Sequence, residues 1–294
     1  MIWFFLACYT VLFVSLVSMI GFTRRRERQS RKPFAENLRL LRGPGESTRK
    51  RTEALSEEVQ SHLVALFGLP LLVGVLLIGA LNFFTGPQQI ALIAGCLIGL
   101  CIGLVLEIRK LMNNRRQLRN CYLGYFGERV VAEAVEPLRY DGFVIFHDVP
   151  AGDANARFNL DHVIIGPSGV FAVETKTRRK GRARDGFADH QIIFDGQILS
   201  YPWAEDRHGL DQALRQARWL EDYLVSLLGQ RIPVHPILTF PGWMILRRGK
   251  GAVAVLNPRE IPAAVALRGA PALDSDQIDL VARQLEARCR DVEF

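Results

Sequence analysis

In the stretch Asp161-His162-Val163-Ile164-Ile165-Gly166-Pro167-Ser168-Gly169-Val170-Phe171-Ala172-Val173-Glu174-Thr175-Lys176, three side chains have the types and spacing for metal and anion chemistry: Asp161, Glu174 and Lys176. Two apolar runs flank a Pro-Ser-Gly turn, which predicts a β-hairpin. Side chains alternate along a strand, so Glu174 and Lys176 share a face. A two-residue loop of Pro167 and Ser168 pairs Gly166 with Gly169. That register sets Asp161 opposite Glu174, with Cβ atoms within about 5.5 Å. Two carboxylates that close repel each other unless a cation lies between them. Hard oxygen ligands of this kind suit Mg²⁺ or Mn²⁺, and a lysine beside them can hold a water or a phosphate. A three-residue loop with Gly169 left-handed would instead pair His162 with Glu174 and turn Asp161 to the other face. Both faces are otherwise apolar, so alternation does not choose between the registers. Two unrelated surface acids remain the plain alternative.

The elements around this hairpin follow from the pattern between residues 121 and 294. Gly124 to Val135 reads as the start and body of a helix, and Phe143 to Phe146 as a short strand. Ile192 to Leu199 reads as a second hairpin turning at Asp195-Gly196. Leu210 to Leu228 is a long amphipathic helix ending at Gly229. Val234–Phe240 and Ala252–Leu256 are strands, and Pro262–Leu267 and Asp276–Cys289 helices. Helix, three strands, helix, strand is the order of a mixed α/β sheet with helices packed against it.

The N-terminal 120 residues are of another kind. Ile2–Phe22, Leu63–Phe84 and Ile90–Leu106 are uncharged apolar runs near the length of a membrane-spanning helix. Gly86 and Pro87 between the last two predict a helical hairpin. The first run lacks a basic residue before it and a small-x-small cleavage site, and Arg24-Arg25-Arg26 follows it, the pattern of a retained anchor. Residues 1–120 hold 16 Lys/Arg, all within 23–62 and 107–120, against 7 Asp/Glu. Positive residues stay inside, so both segments are expected in the cytoplasm, in a multi-pass inner-membrane protein with its C-terminal domain cytoplasmic. The net charge of +7 belongs to these flanks; residues 121–294 hold 21 Lys/Arg and 23 Asp/Glu, a net of −2. The basic pI is therefore explained by topology and anionic lipid rather than by nucleic acid. Segment 23–62 shows no chemistry, though Glu46–His62 reads as helical.

Gly95, Gly99 and Gly103 line one face of the third run and permit close helix packing or self-association. Cysteines at 8, 96, 101, 121 and 289 form no C-x-x-C, which excludes a zinc ribbon, and all five are expected reduced.

Gly127-Glu128, Asp161-His162-Val163, Gly166-Pro167-Ser168-Gly169-Val170-Phe171, Glu174-Thr175-Lys176 and Gln212 together resemble the nuclease-related domain (NERD) family of the PD-(D/E)XK nuclease-like superfamily. The resemblance covers about residues 121–260. It implies a restriction-endonuclease-like α/β fold behind three transmembrane α-helices. The expected domains are an anchor at 1–22, a basic segment at 23–62, a helical hairpin at 63–106, a linker at 107–120 and the nuclease-like domain at 121–294. It implies that Asp161, Glu174 and the Thr175 carbonyl hold Mg²⁺ or Mn²⁺, that Lys176 orients water and stabilises charge on the phosphate, and that Glu128 and Gln212 face the site from two helices. It also selects the two-residue register. Asn159 stands where family members often carry an acid, and His208-Gly209-Leu210-Asp211-Gln212 replaces an Asn-Pro start of the second helix.

Blander roles stand beside these. Glu128 suits the dipole of a first helical turn, His162 suits sheet packing, and Gln212 with Gln216 suits a polar helix face. The run Arg178, Arg179, Lys180, Arg182, Arg184 reads equally as a phosphate clamp and as a solvated loop. Tyr201 and Trp203 could stack bases but more often fill a core. The expected function is a membrane-anchored, metal-dependent phosphodiesterase acting on DNA or RNA at the cytoplasmic face. The alternative is an inactive nuclease-like binding or scaffold module at the membrane. The expected partners are nucleic acid, membrane lipid and a second copy of the chain.

Overall fold

The computed structural model describes residues 10–15, 17–19, 21–22, 25, 38–153, 156–267 and 273–293. The chain forms two compact units, one of residues 1–36 and 51–120, the other of residues 37–50 and 121–294.

The first unit holds residues 51–83 of helix α1 (Glu46–Phe83) and residues 87–120 of helix α2 (Pro87–Val135), whose outer ends belong to the second. They are joined through Gly86, whose φ of 67° suits glycine's freedom at a tight reversal. His62 Nδ1 lies 2.7 Å from Glu107 Oε2, and Asn114 donates to Glu58 over 2.9 Å, tying the two helices together. A Cβ on Gly103 would stand 2.7 Å from Leu69 Cδ2, so this glycine is packed against α1, whereas Gly95 and Gly99 face open space. Among the described residues, two helices are long and apolar enough to cross a membrane, not three. The run Ile2–Phe22 lies partly outside the described residues, and its described part is the shorter helix Thr10–Met19.

In the second unit, the strands are β1 (Leu40–Leu41), β2 (Val144–Gly152), β3 (Arg157–Gly166), β4 (Gly169–Thr175), β5 (Gln191–Phe194), β6 (Leu199–Ser200), β7 (Glu205–Asp206), β8 (Val234–Thr239), β9 (Met244–Arg247), β10 (Ala254–Leu256) and β11 (Arg290–Val292). The helices are the end of α2, then α3 (His208–Leu228), α4 (Ile261–Ala266) and α5 (Ser275–Cys289). The main sheet has the order β10-β8-β4-β3-β2, antiparallel over β2-β3-β4 and parallel over β4-β8-β10. A smaller sheet orders β7-β6-β5-β9, and β1 pairs with β11. The mixed α/β sheet with flanking helices is as expected.

β4 is buried along its whole length, which a central strand carrying Val-Phe-Ala-Val requires. One sheet face packs Val163, Ile165, Val170 and Ala172 against α3 and α5. The other packs Ile164, Phe171 and Val173 against Val131 and Val135 of α2 and Ile261 of α4. Leu160 and Val163 join the same core although three residues apart, which simple alternation forbids. The phase changes where β2 and β3 meet at Asp148, whose φ is 48°, a left-handed conformation that aspartate tolerates better than most residues.

Two expectations are corrected. The strand at 143–146 extends to Gly152. No helix begins at Gly124; α2 runs unbroken from Pro87, so Glu128 is far from any first turn and the helix-dipole role for it falls.

Candidate active site

The hairpin adopts the two-residue register. Gly166 pairs with Gly169 and His162 with Val173, which sets Asp161 across from Glu174. Thr175 N–H donates to Asp161 Oδ2 over 2.6 Å. Glu174 is 2% exposed. One of its oxygens meets Lys176 Nζ at 2.6 Å, and the other, Oε2, is buried without a hydrogen-bond partner. Lys176 also donates to Gln212 Oε1 over 2.8 Å, which brings α3 to the lysine. The lysine is thus aimed by two oxygens on two different elements.

Glu128 comes in from α2. Its helix approaches the chain after β4 so closely that a Cβ on Gly127 would stand 1.9 Å from Thr177 Cγ2. Any residue but glycine there would push α2 off the strand end. Glu128 is buried and accepts a hydrogen bond from Thr48 Oγ over 3.0 Å. Burial, then the carboxylates of Asp148 and Glu174, push its pKa up to about 7, against the pull of Thr48 and Lys176. Asp161 is pushed well above the usual carboxylate range, first by burial and then by Glu174 and Glu128. Three acids therefore share one poorly solvated place with one lysine. Among the described residues no three His, Cys, Asp or Glu side chains form a ready ligand set for a metal. Asp161 and Glu174 form a pair of hard oxygen ligands, and the unpartnered Glu174 Oε2 marks where positive charge is lacking. That donor set fits a divalent cation.

His162 points away from this cluster. Its Nδ1 lies 2.8 Å from Nδ1 of His147, and burial holds both rings neutral, His147 down to about 4. Gln216 is buried and hydrogen-bonds the Asn159 carbonyl, so it is not part of a solvated polar face. In the basic run, Arg178 pairs with Asp206 and stacks over Tyr201, Arg184 pairs with Glu205, and Lys180 lies over Trp243. Tyr201 is core, while Trp203, stacked on it, stays 41% exposed.

Two further parts come from contacts distant in the chain. Asp148, 2% exposed, accepts from Arg42, from the backbone N–H and hydroxyl of Ser47, and from Asn159. Residues 38–50 form a strap: β1 pairs with β11, Arg42 also grips Asp291, and the first turn of α1 delivers Ser47 and Thr48 to the acids. A Ser-Thr pair in the first turn of a long helix was the available signal; its partners 80 to 101 residues away were not.

Residues 123–241 match the family model of the nuclease-related domain. This segment is similar to the NERD family over 119 of the chain's 294 residues. It holds Glu128, Asp161, Glu174, Lys176 and Gln212, while the strap that braces it lies outside the matched residues. No curated protein and no solved structure matches the chain significantly.

Proposed function

We propose that the protein is a membrane-anchored, divalent-metal-dependent phosphodiesterase acting on DNA or RNA. The observation that carries this reading is the facing pair Asp161–Glu174, with one carboxylate oxygen unpartnered and Lys176 alongside. Asp161, Glu174 and the Thr175 carbonyl would hold Mg²⁺ or Mn²⁺. A cation there supplies Lewis acidity, polarising a phosphoryl oxygen and activating water. Lys176 places an ammonium beside the phosphate and offsets the charge that grows on it in the transition state. Gln212 fixes the direction of that ammonium. Glu128, near neutrality in its proton affinity, is suited to take or return a proton at its free oxygen.

The anchoring part rests on exposed apolar side chains along α1 and α2, among them Leu72, Leu76, Ile98 and Ile102. In water they would form a patch of the kind that soluble monomers avoid. Basic residues at 23–62 and 107–120 favour the cytoplasmic side for the domain. The net charge of −2 over residues 121–294 favours the second reading, a non-catalytic nuclease-like module.

Cleavage of labelled DNA and RNA by the full chain with Mg²⁺ or Mn²⁺ separates the two. Asp161→Asn and Glu174→Gln should abolish cleavage. They should also abolish the thermal stabilisation by Mn²⁺, about 2.7 kcal/mol at 100 times the dissociation constant. Lys176→Ala should lower cleavage about 10²–10³-fold and keep that stabilisation. Nucleic-acid binding without cleavage under any divalent metal would hand the result to the module.

A further inference from the structure

A cavity of about 490 Å³ lies beside the site, lined by residues including Arg42, Arg157, Phe158, Asn159 and Arg288. Its three guanidinium groups differ in what already holds them. Arg42 is neutralised by Asp148 and Asp291. Arg288 hydrogen-bonds the Pro150 carbonyl and lies over the rings of Trp219 and Tyr223, 5.2 and 5.0 Å from their centroids. It has no carboxylate partner among the described residues. Arg157 is exposed and has no partner among them either. The wall acids Asp153 and Asp291 are committed, the first to the Ala156 N–H and the second to Arg42. Two guanidinium forks thus face a polar cavity with nothing to bind. One of them is held rigid by a ring stack that leaves most of its N–H donors free.

Position decides what would bind. Arg157 stands four residues before Asp161 on β3, about 13 Å along the strand, with the change of phase at Leu160 between them. Phosphates of one B-DNA strand follow at about 3.4 Å of axial rise, so the spacing corresponds to about four nucleotides. Phe158 adds an apolar wall, its ring 5.6 Å from Trp219. Guanidinium forks suit phosphate oxygens geometrically. The acids in the wall disfavour a densely anionic surface such as a lipid bilayer.

We propose that this cavity is a backbone-phosphate subsite for a nucleic-acid strand whose scissile bond lies at Asp161 and Glu174, contacted by Arg157 and Arg288. The proposal rests on the phosphodiesterase reading for its direction. It explains how a domain of net negative charge grips a polyanion, by a local pair of unspent arginines.

The test is fluorescence anisotropy of a labelled 20-nucleotide single strand on the full chain in non-ionic detergent, across a salt series. Arg157→Glu should weaken binding about tenfold, the loss expected for one charge-assisted hydrogen bond. It should lower the slope of log K against log salt by about 1. Arg157→Lys should fall between, since it keeps the charge and loses the fork. Arg259→Glu makes the same change in net charge at an exposed position beyond β10 and should bind like the wild type. Equal binding by Arg157→Glu and Arg259→Glu overturns the subsite, as does a wild type that binds no strand. Binding through Arg157 without cleavage overturns hydrolysis and leaves the subsite standing. Cleavage unaffected by Arg157→Glu does the reverse.

Discussion

Asp148 and Asp161 face one another across β2 and β3, between the pairs His147–His162 and Val149–Leu160, and they are opposites in every other respect. Asp148 is saturated: a guanidinium, a backbone N–H, a hydroxyl and an amide all donate to it. Asp161 receives the Thr175 N–H and otherwise looks across at other carboxylates. A buried acid with a full set of donors is a fastening. An acid short of donors, beside another acid with an unpartnered oxygen, is an unbalanced charge that the fold has to carry.

The sharpest way to break this comparison is to remove each acid in the absence of divalent metal. Asp148→Ala strips a buried ion pair and leaves the Ser47 and Asn159 donors unmatched, for an expected loss of about 3–5 kcal/mol. Asp161→Asn should leave the apo protein as stable as before or more so, because it removes a repelled carboxylate. Denaturant titration followed by tryptophan fluorescence reads both, since Trp203, Trp219 and Trp243 lie in this unit. Equal losses would end the distinction.

A second test uses pH. Glu128 titrates near 4.5 when unfolded and at about 7 when folded, so between those values the folded state keeps a proton that the unfolded chain has released. Stability in EDTA should therefore fall as pH rises from about 4.5 to about 7, by on the order of 3 kcal/mol, and level off above. Asp161 adds in the same direction. Glu128→Gln should flatten most of this slope, and a slope unchanged by it would mean that Glu128 is not a protonated member of the cluster. The smallest effect belongs to the brace. Thr48→Val removes the hydroxyl bond to Glu128 and should cost about 1 kcal/mol at neutral pH, against several for Asp148→Ala.

Legibility followed the range of the interactions. The hairpin and the Glu-x-Lys strand end are local features readable from spacing, while the register and the approach of Gln212 came with the family resemblance. The C-terminal limit of α3 was readable from Gly229. Asp148 was not, because only Arg42, 106 residues upstream, makes it a fastening. The unbroken α2 was hidden for the opposite reason. Gly124 and Gly127 look like helix starters, yet one of them serves close packing against Thr177 within a helix already under way. The short strands β1 and β11 pair across the ends of the chain and carry too few residues to show a period.

The strap has a consequence for the path of the chain. Residues 37–50 precede the apolar hairpin, residues 121–294 follow it, and both belong to one folded unit. The chain returns at residue 121 to the body it left at residue 50, and Arg42, held between Asp148 and Asp291, is a fastening on which that return depends.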